Sequence, residues 1–126
     1  MDNAINLPDV LAQVNAVFDE YERALVSNDV PTLDRLFWNS VHTLRYGAGE
    51  NLYGYDAIQA FRSGRPSKGL ARRITARSVT TFGTDFAVAN VEFRRDGSER
   101  IGRQTQTWVR MPEGWRVVAA HVSLMQ

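Results

Sequence analysis

The sequence predicts an α+β domain, with helices gathered in the first half and packed in a curved, mostly antiparallel sheet supplied by the second. Three observations carry that expectation. Apolar residues recur at three- and four-residue spacing between Leu7 and Val26. Four runs rich in Val, Thr, Phe and Trp fill Arg72 to Met125, separated by turn residues. The change from one pattern to the other falls near Gly69, with no linker and no repeat. With 126 residues, 44% of them hydrophobic, the chain suffices for one core, so residues 1–126 read as a single domain.

The first element is a long amphipathic helix whose stripe is Val10, Val14, Val17, Phe18, Tyr21, Ala24 and Leu25, started by Asn6 or Leu7 ahead of Pro8 and Asp9. Tyr21 lies on that stripe, so its ring faces the sheet and its hydroxyl needs a partner or a cavity there. Ser27-Asn28-Asp29 ends the helix, and Asp29 caps a short second one from Val30 to Phe37. A strand from Val41 to Tyr46 follows, with Arg45 and His42 on opposite sides, then a turn and a very short strand at Leu52-Tyr53. A third helix runs from Ala57 to Ser63.

The last four strands are expected at Arg72 to Phe82, Phe86 to Arg95, Glu99 to Arg110 and Trp115 to Met125, joined at Gly83-Thr84-Asp85, Asp96-Gly97-Ser98 and Pro112-Glu113-Gly114. Strands of roughly ten residues twist and bend, which gives the sheet a concave face for the helices to fill. Alternate residues such as Val79, Val88, Val91, Trp108 and Val118 supply more apolar side chains than one filled face requires. The expectation is a convex face covered by a second copy, in a homodimer or higher homo-oligomer.

The N-terminus has no basic stretch ahead of an apolar one, and no apolar run exceeds four residues, so the chain reads as soluble, cytoplasmic and without a membrane partner. With no cysteine, disulfides, thiolate nucleophiles and cysteine metal sites are excluded. No phosphate loop, serine elbow or metal pair at helical spacing is present, and no cofactor is expected. Fourteen of the fifteen basic residues are arginine. Six basic residues, Arg62, Arg65, Lys68, Arg72, Arg73 and Arg77, lie between Ala57 and Thr84 with no Asp or Glu. Planar guanidinium forks match carboxylates and phosphates, although a solvated surface gives the same composition. Nucleic acid is not the expected partner, because the segment lacks interleaved aromatics for stacking.

The order of elements, with Gly114-Trp115-Arg116-Val117-Val118 and the closing His121-Val122-Ser123, resembles the nuclear-transport-factor-2-like superfamily of cone-shaped domains. Nearly the whole chain is covered. Within it, Tyr21-Glu22-Arg23-Ala24-Leu25, Asn28-Asp29, Leu36-Phe37-Trp38, Thr43-Leu44-Arg45-Tyr46-Gly47, Phe61-Arg62-Ser63-Gly64-Arg65-Pro66 and Gly69-Leu70-Ala71-Arg72-Arg73 are similar to the AtzH-like group. That group is known from cyanuric-acid and oxalurate catabolism, with hydrolysis of 1,3-dicarboxyurea as its characterised activity. The resemblance implies catalytic roles for Tyr21 and Arg45.

A dicarboxylated urea carries two carboxylates on a planar frame, so a pocket for it needs planar cations. Arg45 neutralises one end in this reading, and one of Arg62, Arg65, Arg72 or Arg73 holds the other. Tyr21 donates to developing charge or to the leaving nitrogen. The alternatives are a core tyrosine bonded to a backbone carbonyl and an Arg45 salt bridge to Glu50 or Asp56. His121, grouped with Ala119 and Ser123 on the last strand, is a further candidate to face the substrate as a base, and a structural histidine is its alternative. Glu20 and Glu22 read as solvated. The function expected is a cofactor-free amidohydrolase acting on a small dianionic carboxylated urea. The alternative is a non-catalytic small-anion-binding accessory protein of oxalurate or purine catabolism.

Overall fold

The computed structural model describes residues 4–126. Its elements are α1 (Pro8–Val26), α2 (Val30–Leu36), β1 (Leu44–Tyr46), β2 (Asn51–Tyr53), α3 (Tyr55–Gly64), β3 (Arg73–Phe82), β4 (Phe86–Arg94), β5 (Gly102–Met111) and β6 (Gly114–Leu124). In α1 the residues Val10, Val14, Phe18, Tyr21, Ala24 and Leu25 are buried, six of the seven positions of the expected stripe. Asp29 caps α2, accepting from the Thr32 backbone N–H at 3.3 Å and from its hydroxyl at 2.7 Å. No helix among the described residues is long and apolar enough to cross a membrane.

The six strands form one sheet in the order β2-β1-β6-β5-β4-β3. All strand pairings are antiparallel except that of β1 with β6, which is parallel and sets Arg45 beside Ala120 and Tyr46 beside His121. The expected strand at Val41 to Tyr46 is therefore half as long. The Thr43 N–H bonds to the Ser40 carbonyl and the His42 N–H to the Ser40 hydroxyl, which turns the chain before Leu44, and Val41 is left 84% exposed.

Period-two alternation sends Ala87, Ala89, Val91 and Phe93 of β4 and Gln104, Gln106 and Trp108 of β5 to the inner face, where Ala87, Ala89, Val91 and Trp108 join one core with residues of α1 and α2. Of the alternate apolar residues expected to exceed the needs of one face, Val91 and Trp108 are core residues. Val79 packs half-buried against the same core, and Val88 and Val118 are only half-buried. In β6 a bulge changes the alternation. Trp108 pairs with Val117 and Thr107 with Ala119, so Val118 is the extra residue. Trp115 and Val117 face inward before the bulge, and Ala120 and Val122 after it.

Candidate active site

Tyr21 is 4% exposed and its ring sits between Phe18 and Phe37, at centroid distances of 6.1 and 6.4 Å. Among the described residues no group hydrogen-bonds its hydroxyl, so the backbone-carbonyl alternative is not realised. Arg45 takes the inner side because its register partner Ala120 is an inward residue of β6. Its guanidinium lies 5.5 Å from the Phe61 ring centre, and its Nη1 is 3.5 Å from Glu50 Oε2. That pair is long, single and partly open to solvent, with the Arg45 side chain 12% and Glu50 26% exposed. Gly47 makes room for it, because a Cβ there would lie 1.8 Å from the Glu50 oxygen.

α3 and the loop after it add two more guanidiniums. Arg62 is 3% exposed, stacked 4.1 Å from the Phe37 ring centre, with Nη1 3.4 Å from Asp34 Oδ1. Burial pushes it below the ordinary arginine range, the Arg45 and Arg65 charges adding to the shift while Tyr21 and Asp34 oppose it. Arg65 shares the Phe61 ring with Arg45, at 5.7 Å. Burial, then the Arg45 charge, pushes it down too, with Arg95 adding and Tyr21 and Glu50 opposing. Tyr21, Arg45, Arg62 and Arg65 thus form one interacting set.

Farther along the inner face Arg72 and Arg95 share the ring of Phe93, at 4.3 and 4.9 Å. Arg72 is gripped by Glu22 through two bonds of 2.9 and 2.7 Å, and its side chain is 1% exposed. Glu22 is therefore not solvated as expected. It reaches over the edge of α1 to a cation that would otherwise be buried alone. Glu20 does lie on the surface, paired with Arg35 at 2.5 Å. Burial and the Arg72 charge push Arg95 down, against the pull of Glu22.

Two expected site residues lie elsewhere. His121 is exposed on the outer face, edge-on to Tyr46 at 5.6 Å, because the bulge at Val118 shifts the alternation by one and turns Ala120 inward in its place. Arg73 is exposed because it follows the inward Arg72 by one residue at the start of β3. His42 is exposed and stacks on Trp38 at 6.2 Å. Among the described residues no group of three His, Cys, Asp or Glu side chains is placed to hold a metal ion.

Four residues of the site were not singled out from sequence: Glu50 as part of it, Arg95, Gln104 and Gln106. Gln104-Thr105-Gln106 places two amides at the inward positions of a strand that continues to Trp108, a period-two signal open to reading. Both are at most 2% exposed, both Gln104 side-chain atoms meet no partner, and Gln106 keeps only its oxygen satisfied, by the Trp108 indole at 3.1 Å. On the other face of the sheet a hollow of about 300 Å³ includes Ser78, Asn90, Glu92, Arg103 and Thr105 in its lining. There Thr105 donates to Asn90 at 2.6 Å, and Tyr21 and Arg45 are on the opposite side of the sheet.

Among curated proteins no relative matches the chain. Several solved structures do. A protein of unknown function from the DUF3225 family of Pectobacterium atrosepticum is 61% identical, with a TM-score of 0.95 over 97% of this chain and 95% of that one. A cystatin-like fold protein from Burkholderia xenovorans is 48% identical, with a TM-score of 0.93 over 98% and 97% of the two chains. At 19% identity an NTF2-like protein of unknown function from Pseudomonas putida, with a TM-score of 0.76 over 89% and 84%, shares the fold alone. Helices in the hollow of a curved mixed sheet are that NTF2-like, cystatin-like architecture. The AtzH-like family model matches residues 3–126, and the chain belongs to the AtzH-like family.

Proposed function

We propose that the protein is a cofactor-free amidohydrolase that cleaves a C–N bond of a small dianionic carboxylated urea such as 1,3-dicarboxyurea. The observation that carries the reading is the charge balance along the inner face that holds Tyr21. Five guanidiniums, Arg45, Arg62, Arg65, Arg72 and Arg95, interact with three carboxylates, Glu22, Asp34 and Glu50, which leaves two positive charges in excess. A planar dianion complements that excess in charge and shape.

In this mechanism the oxygen of water adds to the carbonyl carbon, the C–N bond breaks, and the leaving nitrogen takes a proton. Arg45 holds the near carboxylate and stabilises the negative charge that develops on the adjacent carbonyl oxygen. Tyr21 gives its proton to the nitrogen and regains one from the attacking water, so it ends as it began. The loose Arg45 to Glu50 contact suits this role, because a guanidinium held by one 3.5 Å contact exchanges partners at little cost.

The second reading, a small-anion-binding accessory protein, is favoured by one fact: no described side chain hydrogen-bonds the Tyr21 hydroxyl, so among the described side chains none is in place to exchange a proton with it. Incubation of the purified protein with freshly made 1,3-dicarboxyurea separates the two. Release of ammonia and carbon dioxide faster than the spontaneous decay is expected, and no acceleration leaves the binding reading. A homodimer through the outer face, where Tyr53 is 65% exposed beside Tyr46, belongs to the same proposal. Light scattering is expected to give the mass of two chains, and a stable monomer at micromolar concentration contradicts it.

A further inference from the structure

The polar groups that the inner face leaves unsatisfied are concentrated on a few side chains. Arg65 has both Nε and Nη2 buried with no acceptor, and Arg95 has Nε in the same condition. Nε and Nη2 form the edge of a guanidinium that grips a carboxylate with two parallel bonds. Buried donors of this kind are costly unless met, more so on a charged group. Elsewhere on the inner side the arginines are engaged, Arg45 by Glu50, Arg62 by Asp34 and Arg72 by Glu22.

Packing holds the two free edges in place. Arg65 is stacked on Phe61 and Arg95 on Phe93. Phe93 is itself fixed, because its ring lies over Gly102, where a Cβ would come within 2.1 Å of it. One inward position along β5 from Gly102 is Gln104, 2% exposed, whose amide N–H and carbonyl meet no partner. The Arg95 charge acts on Arg65 and adds to its depressed basicity, so the two guanidiniums repel one another across the site. A shared anion removes both the repulsion and the unmet donors.

We infer that Arg65 and Arg95, with the Gln104 amide one inward position from the Gly102–Phe93 contact, form a second oxyanion subsite that takes the far carboxylate of a dicarboxylate whose near end is held by Arg45. The inference rests on the proposed substrate class and names the residues that set it. Arg45 alone accepts any monocarboxylate, and the second subsite makes the protein select two carboxylates separated by a three-atom frame.

Glutarate has that frame without a scissile C–N bond, and butyrate is the same three-carbon frame without the second carboxylate. By titration calorimetry the native protein is expected to bind glutarate at least about tenfold more tightly than butyrate, the worth of one charge-assisted hydrogen bond. Arg65→Gln and Arg95→Gln are each expected to bring glutarate down to the level of butyrate and to leave butyrate itself within about twofold. Melting curves certify the fold of each variant. If Arg95→Gln does not fold, Arg95→Lys, which keeps the charge but has no Nε–Nη edge, replaces it with the same expected loss. Equal affinity for the two acids in the native protein overturns the inference, as does a glutarate preference that survives both substitutions. A preference that behaves as described in a protein without turnover of 1,3-dicarboxyurea keeps the subsite and removes the hydrolase. Turnover with no such preference does the reverse.

Discussion

Two regions of the inner face are built from the same parts and behave differently. At each, one phenylalanine carries two guanidiniums and one carboxylate stands near: Phe61 with Arg45, Arg65 and Glu50, and Phe93 with Arg72, Arg95 and Glu22. Around Phe93 the acid grips Arg72 with two bonds near 2.8 Å and the pair is sealed. Around Phe61 the acid touches Arg45 once, at 3.5 Å, with both partners partly open. The contrast between the Glu22–Arg72 and Glu50–Arg45 pairs teaches that residue type does not separate a sealed ion pair from an open one. Contact geometry and burial do, because a doubly bonded, desolvated guanidinium is costly to release and a singly touched one is not.

The comparison breaks most sharply at its carboxylates. Glu22→Gln leaves the Arg72 charge buried beside Arg95 without compensation, and chemical denaturation is expected to show a loss of about 3–5 kcal/mol. Glu50→Gln removes a weaker, half-open contact and is expected to cost on the order of 1 kcal/mol or less. The same substitution frees Arg45, so butyrate binds more tightly to Glu50→Gln than to the native protein. Equal losses of stability from the two substitutions would mean that the two regions are alike after all.

The helices, the turns and the four long strands were legible because each is written locally, in the α1 stripe, in Asp29 as a cap and in the Gly-containing turns. The inward direction of Tyr21 was legible for the same reason. Features set by pairing between distant residues were not. The bulge at Val118 exists only in the register between β5 and β6, and it alone decides that His121 faces outward. The Glu22 to Arg72 pair spans fifty positions, so Glu22 looked solvated beside its neighbours. Arg95 closes a strand before an Asp-Gly turn, and nothing local shows that it folds onto Phe93. Of the arginines in the acid-free segment, Arg62, Arg72 and Arg77 find their acids on the first two helices, at Asp34, Glu22 and Asp19. Half of the six basic residues of that segment are thus ion-paired in the fold.

The central claim is that the unpartnered hydroxyl of Tyr21, set among these arginines, takes part in breaking the C–N bond. Tyr21→Phe keeps the ring and its contacts with Phe18 and Phe37 and removes one oxygen, so the melting temperature should barely move. The steady-state rate of that variant with 1,3-dicarboxyurea is the most direct test. A fall of kcat by about 10²-fold or more, with kcat/KM falling alongside, is the predicted result. A variant that turns over at the native rate would contradict the account.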